Sequence, residues 1–144
     1  MNREVVIDGS VSASWLFPDE HTKASEKLLE KALGGTLRIV VPELWRYEML
    51  NVLRTAVVRE RIGEQVAMRA LTLLRSIPVE IVPAEVQGQT AILTCALRLG
   101  LSAYDAAYFS LAEGRGIDLV SADHDLLKLG RQFPWIVSVR QFRI

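Results

Sequence analysis

Four acidic residues stand where this sequence could do chemistry: Asp8, Glu48, Asp105 and Asp123. Asp8 follows the β-branched run Val5-Val6-Ile7, and Asp123 follows Leu119-Val120-Ser121-Ala122. Each of these carboxylates therefore leaves an apolar strand at its C-terminal end, where α/β proteins bind ligands. Glu48 lies in a helical stretch, with Leu44 and Val52 one turn away on either side and Trp45 three residues back. It is thus surrounded by apolar neighbours on its own face. Asp105 repeats the pattern, with Leu101 four residues before it and Tyr108 and Phe109 three and four after. A lone carboxylate buried at such a border costs several kcal/mol unless it is paired, protonated or bound to a metal.

Each acid alone has an ordinary reading. Asp at a strand end is a common turn former, and Asp105 could cap a helix, although Ser102 is better placed to do so. Arg46, Arg54 or Arg98 could neutralise any single acid. Four acids aimed at one place, however, repel one another, and a hard divalent cation resolves that conflict. An oxygen-only donor set selects Mg2+, with Mn2+ as the alternative, over zinc, for which the chain offers only Cys95 and the separated His21 and His124. Such a cation, held by carboxylates and by substrate phosphate, is the arrangement that activates water against a phosphodiester, so the expected chemistry is hydrolysis.

The elements that must position these acids alternate between strand and helix. A strand over residues 5–7 is expected to close in a turn at Asp8-Gly9-Ser10. Helices follow over about 12–17, stopped by Pro18, and 22–33, stopped by Gly34-Gly35. After a strand at 38–41, Pro42 is expected to open a helix running to about Glu60, since a missing N–H does no harm there. A helix over 64–76 precedes a strand at 79–82, weakened by the flanking Pro78 and Pro83. Helices over 86–99 and 103–113 are expected to end at Gly100 and Gly114, followed by a strand at 117–120, a short helix near Leu126 and a strand at 135–139. This alternation predicts a parallel sheet covered by helices on both faces.

The chain has 144 residues, half of them hydrophobic and 24% charged, with no repeat or biased tract. One folded domain over 1–144 is expected. The start, Met1-Asn2-Arg3-Glu4-Val5, lacks the apolar stretch of a secretory signal, and no apolar run approaches the ~20 residues that span a bilayer. Cys95 is the single cysteine, so a reducing cytoplasm is the expected compartment and no membrane is involved. Lys plus Arg and Asp plus Glu are equal at 17 each, so no global positive field announces a nucleic-acid partner.

Four segments carry a resemblance: Val6-Ile7-Asp8-Gly9-Ser10, the run from Pro42-Glu43-Leu44 through Glu48 to Asn51-Val52-Leu53, Leu101-Ser102-Ala103-Tyr104-Asp105-Ala106-Ala107-Tyr108, and Leu119-Val120-Ser121-Ala122-Asp123. In order and spacing the sequence resembles the PIN-domain ribonucleases, and specifically the VapC-type toxins of toxin–antitoxin pairs. The resemblance implies a three-layer α/β sandwich with a mainly parallel central sheet flanked by helices. It places Asp8, Glu48, Asp105 and Asp123 at the acidic metal-binding positions, with Asp8 and Asp105 as the most regular direct ligands. Ser121 replaces the family's usual threonine and keeps its hydroxyl, while Ser10 and Asn51 match supporting polar positions that could equally be turn and helix-surface polarity. The implied activity is a Mg2+-dependent endoribonuclease leaving a 5′-phosphate and a 3′-hydroxyl. The implied partners are an RNA substrate, a second copy in a homodimer, and an antitoxin whose C-terminal segment blocks the site and which supplies most of the DNA binding.

Around this set, Asp125 is expected to cap the short helix, Glu43 to favour the start of its helix through the dipole, and Trp15, Trp45 and Trp135 to serve the core rather than stack bases. Arg46, Arg54, Arg59 and Arg61 are candidates to hold an RNA backbone. Exposed apolar residues of the first two helices or of the 43–61 helix are candidates for protein contacts. A haloacid-dehalogenase-type phosphatase needs a second Asp where Ser10 stands, and no Gly-rich phosphate loop follows the first strand. A receiver-like phospho-acceptor module lacks an acidic pair and a placed lysine. A catalytically degenerate PIN module that only binds a protein partner is the remaining alternative.

Overall fold

The structure is a computed structural model and describes residues 2–144. Its strands are β1 (Arg3–Ile7), β2 (Leu37–Pro42), β3 (Val79–Val82), β4 (Asp118–Ser121) and β5 (Ile136–Ser138). They lie in the order β3-β2-β1-β4-β5, and all four pairings are parallel. Val5, Val6, Ile7, Ile39, Val40, Val41, Leu119 and Val120 have no exposed surface. The three inner strands read as continuous apolar runs because both of their faces are covered.

The described helices are α1 (Gly9–Leu16), α2 (Lys23–Leu33), α3 (Leu44–Val58), α4 (Glu64–Ser76), α5 (Val86–Leu99), α6 (Ala103–Arg115) and α7 (His124–Leu127). Right-handed crossovers send the chain outward from β1 to β2 and β3, then back past β1 to β4 and β5. That reversal places α1 to α4 on one face of the sheet and α5 to α7 on the other. In keeping with it, α1 meets α2 and α3, α3 meets α4, and α6 packs on β1, β2 and β4 beside α5. The layered α/β arrangement expected from the sequence is present. Its topological switch falls between the C-terminal ends of β1 and β4, where open parallel sheets form their ligand crevice.

Two buried tryptophans fix the helices around this crevice. Trp45 Nε1–H donates to Ser12 Oγ at 2.8 Å, and Ser12 Oγ–H donates to the Asp8 carbonyl at 3.2 Å, tying α3 to the end of β1. Trp15 Nε1–H donates to the Ser25 carbonyl at 2.9 Å, joining α1 to α2. On the other face Phe109 of α6 packs against Phe133 and Trp135 with centroids 4.9 and 4.8 Å apart. Such pairs add about 0.5–1.5 kcal/mol beyond burial. All three tryptophans serve the core, as expected.

The local differences from the sequence reading have physical causes. Asp8-Gly9-Ser10 is not a free turn, because α1 begins at Gly9 and Asp8 caps it, Oδ1 accepting from Val11 N–H at 3.3 Å. Pro42 does not open α3 but ends β2, in register with Val82. Its nitrogen faces the side where the register with β1 has already stopped at Val6 and Val40, so no ladder bond is lost. Helix α6 continues through Gly114 to Arg115 and ends at Gly116, whose φ of 66° supplies the left-handed cap. β4 is shifted one residue, to Asp118–Ser121, and β5 is trimmed to Ile136–Ser138. Asp123, not Asp125, caps α7 by accepting from Leu126 N–H, while exposed Asp125 stands 3.7 Å from Lys128 Nζ. A 3-10 turn at Pro18–Glu20 follows α1.

Candidate metal centre

Asp8, Glu48, Asp105 and Asp123 line one open cleft of about 340 Å3, together with Ser10 and Asn51. They arrive by different routes. Asp8 leaves β1, Asp123 lies two residues beyond β4, and Glu48 and Asp105 project from α3 and α6, which belong to opposite helical layers. The layers meet over the C-terminal end of the sheet. A larger cleft of about 570 Å3 between α3, α4 and β3 is lined by Trp45, Leu50, Leu74, Ile77 and Ile81 with Arg46 and Arg75. It holds no acid, so size does not mark the chemistry here.

Asp8 is the most constrained of the four. It is buried, with Ser10 Oγ–H donating to Oδ1 and Ser121 Oγ–H to Oδ2, each at 2.5 Å. The two serines extend the lattice: Asp123 N–H donates to Ser121 Oγ at 2.8 Å, and Ala122 N–H donates to Ser10 Oγ at 3.0 Å. Ser121 is thus a bridge between two of the acids, and Ser10 ties the start of α1 to the loop after β4. Asn51 is exposed, one turn beyond Glu48 on the cleft wall. Glu48 is half-buried, and its Oε1 accepts from the Tyr108 hydroxyl at 2.5 Å. Asp105 sits in the first turn of α6, its backbone N–H capped by Ser102 Oγ at 3.1 Å. The sequence suggested Tyr108 only as an apolar neighbour of Asp105; its position three residues on, on the same helix face, was the available signal.

Charge accumulates in this cleft without compensation. Burial pushes the Asp8 carboxyl above its usual range, opposed by the Ser10, Ser121 and Val11 hydrogen bonds and reinforced by Asp123. Glu48 is raised by burial, with the Tyr108 bond opposing and Asp8 and Asp105 adding repulsion. Asp105 is raised by burial and then by Asp123, Asp8 and Asp125. Among the described residues none of the four acids forms an ion pair, so Arg46, Arg54 and Arg98 rescue none of them. Arg61 is committed elsewhere, 2.6 Å from Asp19 and stacked 4.0 Å over the Phe17 ring. Among the described residues Arg46, Arg54 and Arg59, all exposed, form no ion pair.

The donor set fits a hard divalent cation: carboxylate oxygens only, mutually repelling, with no basic side chain among them. The acids are not drawn into a closed cage, since no three His, Cys, Asp or Glu among the described residues gather tightly enough to hold an ion by themselves. Mg2+ binds through one or two carboxylates and keeps waters on its remaining positions, so it does not require a closed cage. Glu43 stays outside it, its carboxylate accepting from Ala84 N–H at 2.9 Å.

A family model described as PIN domain matches residues 5–132. Ribonuclease VapC9 of Mycobacterium tuberculosis is 33% identical over 137 residues, spanning 94% of this chain and 99% of that protein. VapC ribonuclease Mb0985 of Mycobacterium bovis matches to the same extent. Among solved structures, PAE2754 from Pyrobaculum aerophilum superposes with a TM-score of 0.68 at 26% identity, over 97% of this chain and 93% of that one. VapBC2 from Rickettsia felis, bound to a DNA fragment from its promoter, also reaches 0.68, over 94% and 96% of the two chains. At 12% identity that likeness is one of fold alone.

Proposed function

Because the chain belongs to the PIN-domain family, among the VapC ribonucleases, we propose that it is a divalent-metal-dependent endoribonuclease and the toxin of a toxin–antitoxin pair. The observation that carries this reading is the convergence of four carboxylates, from two strand ends and two opposed helical layers, on one cleft without a counter-charge. Residues 1–144 act in it as one nuclease domain.

Asp8, Glu48, Asp105 and Asp123 would hold Mg2+ or Mn2+. When bound, such a cation supplies neutralisation of phosphodiester charge and activation of water at neutral pH. The protein's part is to hold the acids in place. Asp8 is fixed by Ser10 and Ser121 and is the rigid anchor. Ser121 keeps Asp123 in step with Asp8 through the Asp123 N–H. Asp105 and Glu48, only half-buried, border the open side of the cleft from which a phosphate would enter. Asn51 offers an uncharged amide donor to the RNA backbone on that wall. The acids themselves repel phosphate, so RNA binding and metal binding are coupled. The substrate is single-stranded or structured RNA, its backbone held in part by Arg46, Arg54 and Arg59.

The partners belong to the same reading: a second copy of the chain and an antitoxin that covers the cleft and supplies DNA binding. The surface available for them includes the helices named from the sequence and adds another. α3 does expose Tyr47, Leu50 and Val58, but the largest exposed apolar side chains of a single helix face are Val86 at 80%, Leu93 at 59% and Leu97 at 78% on α5. Among the described residues no helix is long and apolar enough to cross a membrane, and we place the protein in the cytoplasm. The test is cleavage of RNA by the purified protein with Mg2+ or Mn2+. Activity should vanish in excess chelator and in Asp105→Asn, and cleavage unchanged by either would sink the metal mechanism.

A further inference from the structure

We infer that Tyr108 is a positioning residue for the metal site: its hydroxyl holds one oxygen of Glu48, so that the carboxylate presents the other toward the cleft wall at Gly9, beside Asp8. This inference rests on the metal reading above and assigns Tyr108 a role within it.

Glu48 is the acid least able to hold its own position. It reaches the cleft from α3 on three rotatable bonds, is half-buried, and is repelled by both Asp8 and Asp105. Left alone, such a side chain gains rotamer freedom and hydration by swinging outward. Two features oppose this. The Tyr108 ring is only 1% exposed, so its hydroxyl is fixed by packing of α6 rather than by its own flexibility, and it donates to Oε1 at 2.5 Å. Tyr108 also lies three residues after Asp105, on the same face of α6. One helix therefore brings both an acid and the group that orients another acid.

The second feature is Gly9. A Cβ built at Gly9 would stand 3.4 Å from Glu48 Oε2 and 3.3 Å from the Met49 methyl. A Cβ at that distance from Oε2 would be in ordinary contact, so Oε2 rests close against the backbone at Gly9, immediately after Asp8 in the chain. Oε1 is thus tied to the layer of α6, and Oε2 lies against the start of α1. The Glu48 carboxylate spans the mouth of the switch point instead of pointing away from it. A buried tyrosine hydroxyl needs some partner in any case, but a carbonyl of the core would serve that need. The bond to an acid 60 residues away in sequence instead crosses between the two helical layers at the cleft.

The experiment is calorimetric titration of Mn2+ into the full-length wild-type protein, Tyr108→Phe, Glu48→Ala and the double variant, each checked for folding by thermal denaturation without metal. Tyr108→Phe removes one oxygen and keeps the ring. It should weaken Mn2+ binding about 10–100-fold, the usual effect of removing a group that orients a metal ligand. If Tyr108 acts through Glu48, the double variant should bind Mn2+ as Glu48→Ala does, within about twofold. Wild-type affinity in a folded Tyr108→Phe, or losses that multiply in the double variant, would overturn the positioning role. Absence of Mn2+ binding by the wild-type protein would instead overturn the metal reading on which it rests.

Discussion

Ser121→Ala tests the lattice around Asp8 most directly. The Ser121 side chain is fully buried, donates to Asp8 Oδ2 at 2.5 Å and accepts from Asp123 N–H at 2.8 Å. A hydrogen bond to an ionised group contributes about 1.5–3 kcal/mol, and an orphaned buried donor costs about 1–3 kcal/mol. Water can reach the half-buried Asp123 more easily than Asp8, so the second cost is only partly felt. A loss of about 3 kcal/mol is expected at about pH 7, or roughly 6–12 °C in Tm for a domain of this size. The loss should depend on pH. The folded Asp8 pKa lies above its unfolded value, chiefly through burial, and the Ser121 bond opposes that rise. An acid raised in this way binds more protons folded than unfolded, so stability falls as pH climbs through the interval between the two values. Ser121→Ala widens the interval. Its cost relative to wild type should therefore grow as pH rises and shrink as pH falls toward the usual carboxylate range, where folded Asp8 gains its proton. Urea denaturation of the metal-free protein across that range measures it. A penalty under about 0.5 kcal/mol, or one that does not vary with pH, would refute the reasoning. Ser121→Thr, which keeps the hydroxyl, should restore most of the stability.

Other expectations follow from the same charge cluster and surface. Asp105→Asn removes repulsion felt by Glu48, so the metal-free variant should be as stable as wild type or more so, by up to about 1 kcal/mol after solvent screening, while Mn2+ affinity falls. Destabilisation in urea would show that Asp105 has a structural partner instead. Asp8, Glu48 and Asp105 are all raised above their usual values of 3.8, 4.5 and 3.8, so together they withdraw stability from the metal-free protein as pH rises above about 4. Saturating Mn2+ should offset that loss, with about 2.7 kcal/mol of stabilisation at one hundred times Kd; a pH profile indifferent to Mn2+ would exclude these acids as the binding site. Leu97, 78% exposed on α5, should matter to assembly and not to chemistry. Leu97→Glu should lower the mass measured by light scattering while leaving Mn2+ binding unchanged, and an unaltered dimer would place the interface elsewhere.

Much of the frame was legible residue by residue. The apolar runs ending at Asp8 and before Asp123 mark buried parallel strands, and the Ser102 cap and the Gly100 stop fix two helix ends, because these signals act within one turn or one strand. The types of the four acids and their apolar borders already pointed to an oxygen-donor metal site. Local signals were weaker where two nearby residues could serve the same end. Both Asp123 and Asp125 could have capped α7, and both Gly114 and Gly116 could have ended α6; the structure uses the former of the first pair and the latter of the second. Tertiary structure alone decided the pairs that make the cleft work. Trp45 meets Ser12 across 33 residues, Tyr108 meets Glu48 across 60, and Ser121 meets Asp8 across 113. It also spent Arg61 on Asp19 and left Val86, Leu93 and Leu97 of α5 exposed while Ile92, Cys95, Ala96 and Leu99 of the same helix join the core. Periodicity states which side of a helix is apolar, but what that side meets depends on the strand order and on crossovers that bring distant segments to one end of the sheet.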